Sequence, residues 1–296
     1  MKKRWGVEQM EEKMIYKISL TGDLGSGKST VCSIIAEMTG AEVVSVGALQ
    51  RRMAKEKGIK FYEFNAYMEA HPEVDDEFDT MLKNMDEIKN RSILFDSRMA
   101  WNFVPSAFSV YITTDLFEAA RRVYAAHREN ETYSDVNDAM RKLSDRRASE
   151  ALRYKNLYGK NIKDLSNYDL VVDSTSASPE EVASVILGEY VKYSRGQAHH
   201  GCYLSPLRLY PLRNAEKEGD VEVCPVYDYY FVTRGTNALK RAASERKTEV
   251  CCVVKNLPKN DKTAYIAQNC DVEFLKQWEN EQGIKFIRYP DMIDSK

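Results

Sequence analysis

Apolar residues keep two rhythms along the first two thirds of the chain. Ile15, Ile18 and Leu20 form a short apolar run that ends in a glycine-rich turn, and behind it Val31, Ile34, Ile35 and Met38 recur at helical spacing until Gly40. Further short apolar runs lie at Ala41 to Val46, Ser92 to Phe95, Phe108 to Ile112 and Asp169 to Val172, separated by longer amphipathic stretches. That alternation predicts an α/β fold, a parallel sheet with helices on both faces. Helix starts are marked by Thr114-Asp115 ahead of Leu116 and by Ser178-Pro179-Glu180-Glu181 ahead of Val182 to Tyr190. The stretch Arg51 to Asn90 is helical in character almost throughout and interrupts the strands, and such an insertion is where a second substrate can be gripped.

The rhythm breaks at Tyr193 to Gly201, which is polar and without period and predicts a linker. Beyond it, strands are expected at Val221 to Val226 and Tyr229 to Val232, a turn at Gly235, a helix from Asn237 to about Arg246, a strand over Val250 to Val254 and a helix over Val272 to Gln282. The expected division is therefore a larger domain over 14–192, a linker over 193–201 and a small, separate α+β domain over 202–296. His199 and His200 read as a solvated pair in the linker, since the remaining histidines are His71 and His127.

Composition narrows the class. The 296 residues are 43% hydrophobic and 30% charged, as in a soluble globular protein, and no apolar run approaches the roughly 18 to 20 residues that span a bilayer. Met1 to Met14 carries charge without an apolar centre, so it is read as an arm rather than a secretory signal, with translation starting at Met1, Met10 or Met14. Six cysteines without C-x-x-C spacing fit a reducing cytoplasm. A formal net charge of −2 lacks the basic footprint of a protein that grips a nucleic-acid backbone.

The turn after Leu20 carries the chemistry. In Gly22-Asp-Leu-Gly25-Ser26-Gly27-Lys28-Ser29-Thr30 the glycines let backbone N–H groups turn inward around phosphate oxygens, and the following helix adds its positive end. Lys28 is spaced to reach the β- and γ-phosphates of ATP, Ser29 to offer a hydroxyl to Mg²⁺, and Thr30 to meet the α-phosphate.

Several ordered segments extend this picture: Ser45-Val-Gly47-Ala-Leu-Gln-Arg51, His71-Pro72-Glu-Val-Asp75-Asp-Glu-Phe-Asp79, Phe95-Asp96-Ser97-Arg98, and Arg146-Arg147-Ala-Ser149-Glu150-Ala-Leu-Arg153-Tyr154 with Tyr158-Gly159 following. Together with the glycine-rich turn, they make residues 14 to 190 resemble the cytidylate kinase-like branch of the nucleoside monophosphate kinases. The resemblance implies ATP-dependent phosphoryl transfer to a monophosphate, CMP or dCMP first, with the helical insertion binding the acceptor and a mobile lid over Glu118 to Tyr154. It implies that Arg51 and Arg98 hold the acceptor phosphate, that Asp75 and Asp79 line the acceptor pocket, and that Arg128, Arg146, Arg147 and Arg153 close over the transferring group. Arg121, Arg122 and Arg141 are expected on solvated helix faces. Asp96 ends a strand where a carboxylate holds Mg²⁺ directly or through water. The family usually reads Glu-Gly-Arg there, whereas this chain has Asp96-Ser97-Arg98; Trp101 either walls the pocket or packs.

The C-terminal unit resembles the ParB/sulfiredoxin-like fold through Ser205-Pro206-Leu-Arg208-Leu-Tyr-Pro211 and Gly235-Thr-Asn-Ala238. Thr236, Asn237 and Ala238 stand where that fold carries reactive or basic residues, so no catalytic role transfers. Arg234, Lys240 and Arg241 are either an anion site or surface charge. Three activities follow as expectations: a kinase for CMP or dCMP, a kinase for another small acceptor, and a nucleotide-sensing regulator whose C-terminal domain contacts DNA or protein.

Overall fold

The structure is a computed structural model that describes residues 14–126, 133–198, 201–257 and 261–293. Its elements run β1 (Lys17–Gly22), α1 (Lys28–Thr39), β2 (Glu42–Ser45), α2 (Val46–Glu56), α3 (Phe61–Ala70), α4 (Pro72–Asp86), β3 (Ile93–Asp96), α5 (Ala100–Phe103), β4 (Phe108–Thr113), α6 (Leu116–Ala125), α7 (Val136–Tyr158), β5 (Leu170–Asp173) and α8 (Pro179–Ser194). There follow β6 (Cys202–Leu204), β7 (Leu209–Glu216), β8 (Val221–Val226), β9 (Tyr229–Arg234), α9 (Thr236–Ser244), β10 (Val250–Val254), α10 (Lys262–Asn269) and α11 (Val272–Gln282). The expected strands of the first part are all present, each within a residue or so, and the helical insertion is α2 to α4, set between β2 and β3.

Strands β2-β3-β1-β4-β5 lie side by side in that order, all parallel. β1, β3, β4 and β5 are buried from end to end, as parallel strands covered on both faces must be. Alternate residues supply the two faces. Val110, Ile112, Leu170 and Val172 pack with Ile35 of α1 and Ile186 of α8, while Tyr111 and Val171 point the other way. Helix ends follow from local chemistry: Asp115 accepts from the Phe117 and Glu118 N–H groups to start α6, and Ser178 and Glu181 cap each other's backbone around Pro179 to start α8.

Past β5 the sheet does not stop. β6 pairs parallel with β5 and antiparallel with β10, so among the described residues ten strands form one mixed sheet, ordered β2-β3-β1-β4-β5-β6-β10-β8-β9-β7. The parallel sheet expected of the first part is present as β2-β3-β1-β4-β5, and the antiparallel pairs β6–β10 and β8–β9 belong to the C-terminal α+β part. The C-terminal core is likewise shared with the first part: Tyr111, Tyr168 and Val171 pack with Leu209, Tyr210, Tyr230, Phe231 and Leu239. The linker's beginning is helical through Ser194. Two strands had no forecast: β6 spans three residues, and β7 carries Pro211, which is tolerated because β7 is an edge strand with β9 as its neighbour. Among the described residues no helix is long and apolar enough to cross a membrane, and the six cysteines are unpaired.

Candidate active site

The order of the strands reverses at β1, flanked by β3 and β4, and the crevice beyond the carboxyl ends of strands at such a point is where ligands bind in open α/β sheets. The glycine-rich turn occupies that place. A Cβ on Gly22 would lie 2.4 Å from the Ile112 carbonyl oxygen, and one on Gly25 2.8 Å from the Ala119 Cβ. Gly25 and Gly27 also hold φ of 80° and 78°, a conformation that costs other residues free energy. The turn therefore keeps its backbone facing inward, and α1 begins at Lys28 immediately behind it.

Lys28 forms a buried ion pair with Asp96 at the end of β3. Burial, followed by the charge of Arg98, pulls the Lys28 ammonium down to about 7, with Cys32 and Glu150 opposing the fall. The Ser29 hydroxyl donates to the other Asp96 oxygen at 3.1 Å, and Ser45 to the same oxygen at 3.2 Å. A carboxylate with hydroxyls beside it is a hard oxygen donor set that suits Mg²⁺, which characteristically takes one or two carboxylates and completes its shell with water and phosphate. Among the described residues there is no cluster of three His, Cys, Asp or Glu that would hold a metal by itself.

Facing the turn across one continuous cleft stand residues from α2, α4 and α7. The cleft is lined by Gly25 to Thr30 and by Arg51, Asp75, Asp79, Asp96, Arg98, Arg146 and Arg153. Arg98 donates to the Gly22 carbonyl and lies 3.3 Å from Glu150. Burial is the largest influence and works against its charge, but Glu150 together with Tyr154, Tyr111 and Asp23 more than offsets it and raises the guanidinium above its ordinary value. Arg146 donates to the same Glu150 at 3.0 Å. Arg153 donates to both oxygens of Asp75 at 2.6 Å, so two residues expected to act on different substrates are paired with each other. Asp79 is buried beside Tyr158, and burial, with Asp75 adding to it, pushes its carboxyl up to about 6 against the Tyr158 hydrogen bond.

Other expected residues fall elsewhere. Arg147 does not line the cleft; it donates to the Leu24 carbonyl at 2.9 Å from outside the turn. Gly22 supports the turn from the end of β1 without lining the cleft. Arg128, His199, His200 and the starts at Met1 and Met10 lie outside the described residues. Ser97 is buried at the cleft wall, where its hydroxyl accepts from the Met99 N–H at 3.2 Å. Trp101 packs: its indole N–H donates to the Arg98 carbonyl and its ring meets Tyr168 edge-on. Arg121 and Arg141 pair with carboxylates one helical turn away, whereas Arg122 also reaches the Ser174 carbonyl at 2.6 Å. In the C-terminal part Arg234 pairs with Glu216 and Glu222, and Lys240 lies over the Trp278 ring.

Sequence reading missed Glu150, Tyr158 and Asp23. Glu150 had a usable signal, since it sits one helical turn from Arg146 on the same face. Asp23 lies inside the glycine-rich turn and lines the cleft, with its carboxylate accepting from the Tyr111 hydroxyl at 2.8 Å, the Thr113 hydroxyl at 3.0 Å and the Thr114 N–H at 3.1 Å. Its partners come from β4 and its far end, which no local pattern announces.

A phosphate-binding turn at the switch point, facing an arginine-rich pocket built on a helical insertion, defines a P-loop kinase. The chain belongs to the cytidylate kinase-like family, whose profile matches residues 17–176, just over half its length. It is 37% identical over 187 residues to the cytidylate kinase of Thermoplasma volcanium, an alignment covering 62% of this chain and 95% of that enzyme. With the cytidylate kinase of Pyrococcus furiosus it shares 35% identity over 170 residues, 57% of this chain and 85% of the relative. Among solved structures, a shikimate kinase from Bacteroides thetaiotaomicron superposes with a TM-score of 0.42 at 14% identity, covering 62% of this chain and 99% of that one.

Proposed function

We propose that the chain transfers the γ-phosphate of ATP to CMP or dCMP, giving ADP and the diphosphate. The observation that carries the reading is the single cleft in which the glycine-rich turn, Lys28 and Asp96 face Arg51, Arg98, Arg146 and Arg153; the cytidylate kinase relatives supply the acceptor. Backbone N–H groups of Gly25 to Thr30 and Lys28 hold the triphosphate, and Arg51 and Arg98 orient the acceptor phosphate. An acceptor oxygen then forms its bond to the γ-phosphorus as the bond to the β–γ bridging oxygen breaks, with no side-chain nucleophile. Mg²⁺ held by Ser29 and Asp96 would neutralise phosphate charge in that arrangement. Arg146 and Arg153 are held by Glu150 and Asp75 and are set to turn to the phosphates when these arrive, excluding water as α7 closes. Arg128 joins them in this reading.

In the same reading 14–192 is the catalytic unit, 193–201 the connection and 202–296 a ParB/sulfiredoxin-like attachment in a cytoplasmic protein. The order β8, β9, α9, β10 supports that fold. Ser97 on the cleft wall favours a test of acceptors beyond pyrimidine monophosphates. A panel of nucleoside monophosphates and other small acceptors, assayed on the whole chain and on Lys28→Ala, decides the matter. CMP or dCMP should turn over fastest, and the variant should lose about 10²- to 10³-fold in kcat. Equal rates for variant and parent, or turnover on a non-nucleotide acceptor alone, would overturn the reading.

A further inference from the structure

The second and third residues of the glycine-rich turn, Asp23 and Leu24, line the cleft and are each gripped by a cation. Asp23 forms an ion pair with Lys163, and the Leu24 carbonyl accepts from Arg147 at 2.9 Å. Both cations meet one carboxylate, Asp228, at 3.3 Å from Lys163 and 3.9 Å from Arg147. Asp228 sits at the tip of the β8–β9 hairpin, outside the residues matched by the family. Two further charged residues of the C-terminal part reach the same end of the sheet. The buried Arg208 lies 3.0 Å from Asp173 at the end of β5, and Arg288 lies 2.8 Å from Asp115, which starts α6 after β4. The loop after β1, which lines the cleft, and the loops after β4 and β5, which brace it through Thr114 on Asp23 and Ser174 on Ser26, are thus all tied to residues beyond 202. Burial works to raise the Asp23 carboxyl, yet Lys163 and Arg147 hold it far below the usual carboxylate range, so the charge at this junction is permanent near neutral pH.

We propose that the C-terminal part is a built-in clamp on the triphosphate-binding turn, with Asp228 as the positioning residue that fixes Lys163 and Arg147 against Asp23 and Leu24. This rests on the reading of the turn as the ATP site. Asp228 touches no substrate; it acts by holding the backbone whose N–H groups must point at the phosphates, where small displacements are felt strongly. Asp228 itself meets Lys163 and Arg147, whereas of the acceptor residues Arg98 reaches only the neighbouring Gly22 carbonyl, so the larger effect falls on ATP.

The test uses the full chain. Asp228→Asn keeps size but removes the charge and one of the two acceptor oxygens, and should raise the KM and equilibrium Kd for ATP about 3- to 10-fold while leaving the acceptor KM and kcat within about twofold. Asp228→Glu should recover part of the loss. Raising the salt concentration should weaken ATP binding in the parent more than in Asp228→Asn, because the parent has the two Asp228 ion pairs to screen in addition to Asp23–Lys163. Tyr227→Gly, a change in the same turn at an 81% exposed residue whose φ of 53° glycine adopts freely, should leave every constant unchanged. An unchanged ATP Kd in Asp228→Asn, or equal losses for ATP and acceptor, overturns the proposal. Direct ATP binding needs no acceptor, so this result stands apart from whether CMP is phosphorylated.

Discussion

The half of the cleft proposed to hold ATP is made mostly of backbone, and the half proposed to hold the acceptor is made of side chains. The first comes from nine consecutive residues, Gly22 to Thr30, fixed by glycines that the neighbouring β4 and α6 approach too closely for a Cβ. The second is gathered from α2, α4 and the end of β3 and is roofed by α7, and cations on both are already occupied: Arg98 and the closing Arg146 by Glu150, the closing Arg153 by Asp75. A site of amide groups has little to rearrange when a triphosphate arrives. A site of paired arginines must exchange carboxylates for phosphate, which makes it responsive to whether the acceptor is present and lets closure depend on it. The two halves are therefore built for different tasks, one for standing readiness and one for response.

Breaking the rigid half should have the larger effect. Gly22→Ala forces a Cβ to 2.4 Å from the Ile112 carbonyl, and since backbone must move on one side or the other, kcat/KM should fall about 100-fold. Steady-state kinetics check this, and a loss confined to the acceptor KM would contradict the division of labour. Arg98→Lys sharpens the comparison from the other side. Lysine carries the charge but lacks the fork that reaches Gly22 and Glu150 together, so the acceptor KM should rise about 10-fold with the ATP Kd nearly constant. A matching rise for ATP would show that the Arg98 contact with Gly22 welds the halves together.

The smallest effect is one of pH. Asp79 has a carboxyl raised to about 6 in the folded protein from 3.8. The folded state then binds its proton more tightly than the unfolded chain does, so its contribution to stability is present below about 4 and is lost as pH rises through about 6. Asp79→Asn should accordingly melt at a higher temperature than the parent at pH 7.5 and at the same temperature near pH 4, read by thermal unfolding at the two pH values. An equal shift at both would place the effect in packing instead of ionisation.

The same contrast explains what a reader of the sequence sees. The rigid half is contiguous, so spacing alone discloses it, and the strands that carry it announce themselves as buried apolar runs. The responsive half is disclosed in pieces: Arg51, Arg98, Arg146 and Arg153 stand out through family resemblance, and Arg146–Glu150 is a local helical pair, but that Arg98 meets Glu150 and Arg153 meets Asp75 depends on what folding brings beside α7, a tertiary fact. Pattern also located β8, β9, β10 and α11 in the C-terminal part. It missed β6, too short to show alternation, and β7, whose Pro211 reads as a breaker until its edge position is known. Arg208 carries no local mark of burial, because Asp173, its partner, belongs to a strand end that only folding brings near. A hairpin tip such as Asp228 is invisible for the same reason.

β6 has a practical consequence. Three residues join two halves of the sheet, and without them β5 would present an unpaired parallel edge beside a bare face of Tyr111, Tyr168 and Val171. A shortened chain ending before Gly201 would resemble the relatives in length yet expose exactly the surfaces that make proteins clump, so poor solubility of such a fragment would report a lost cover and not a lost catalyst. Anyone dividing this gene for expression has better reason to cut nowhere than to cut where the sequence looks most like a hinge.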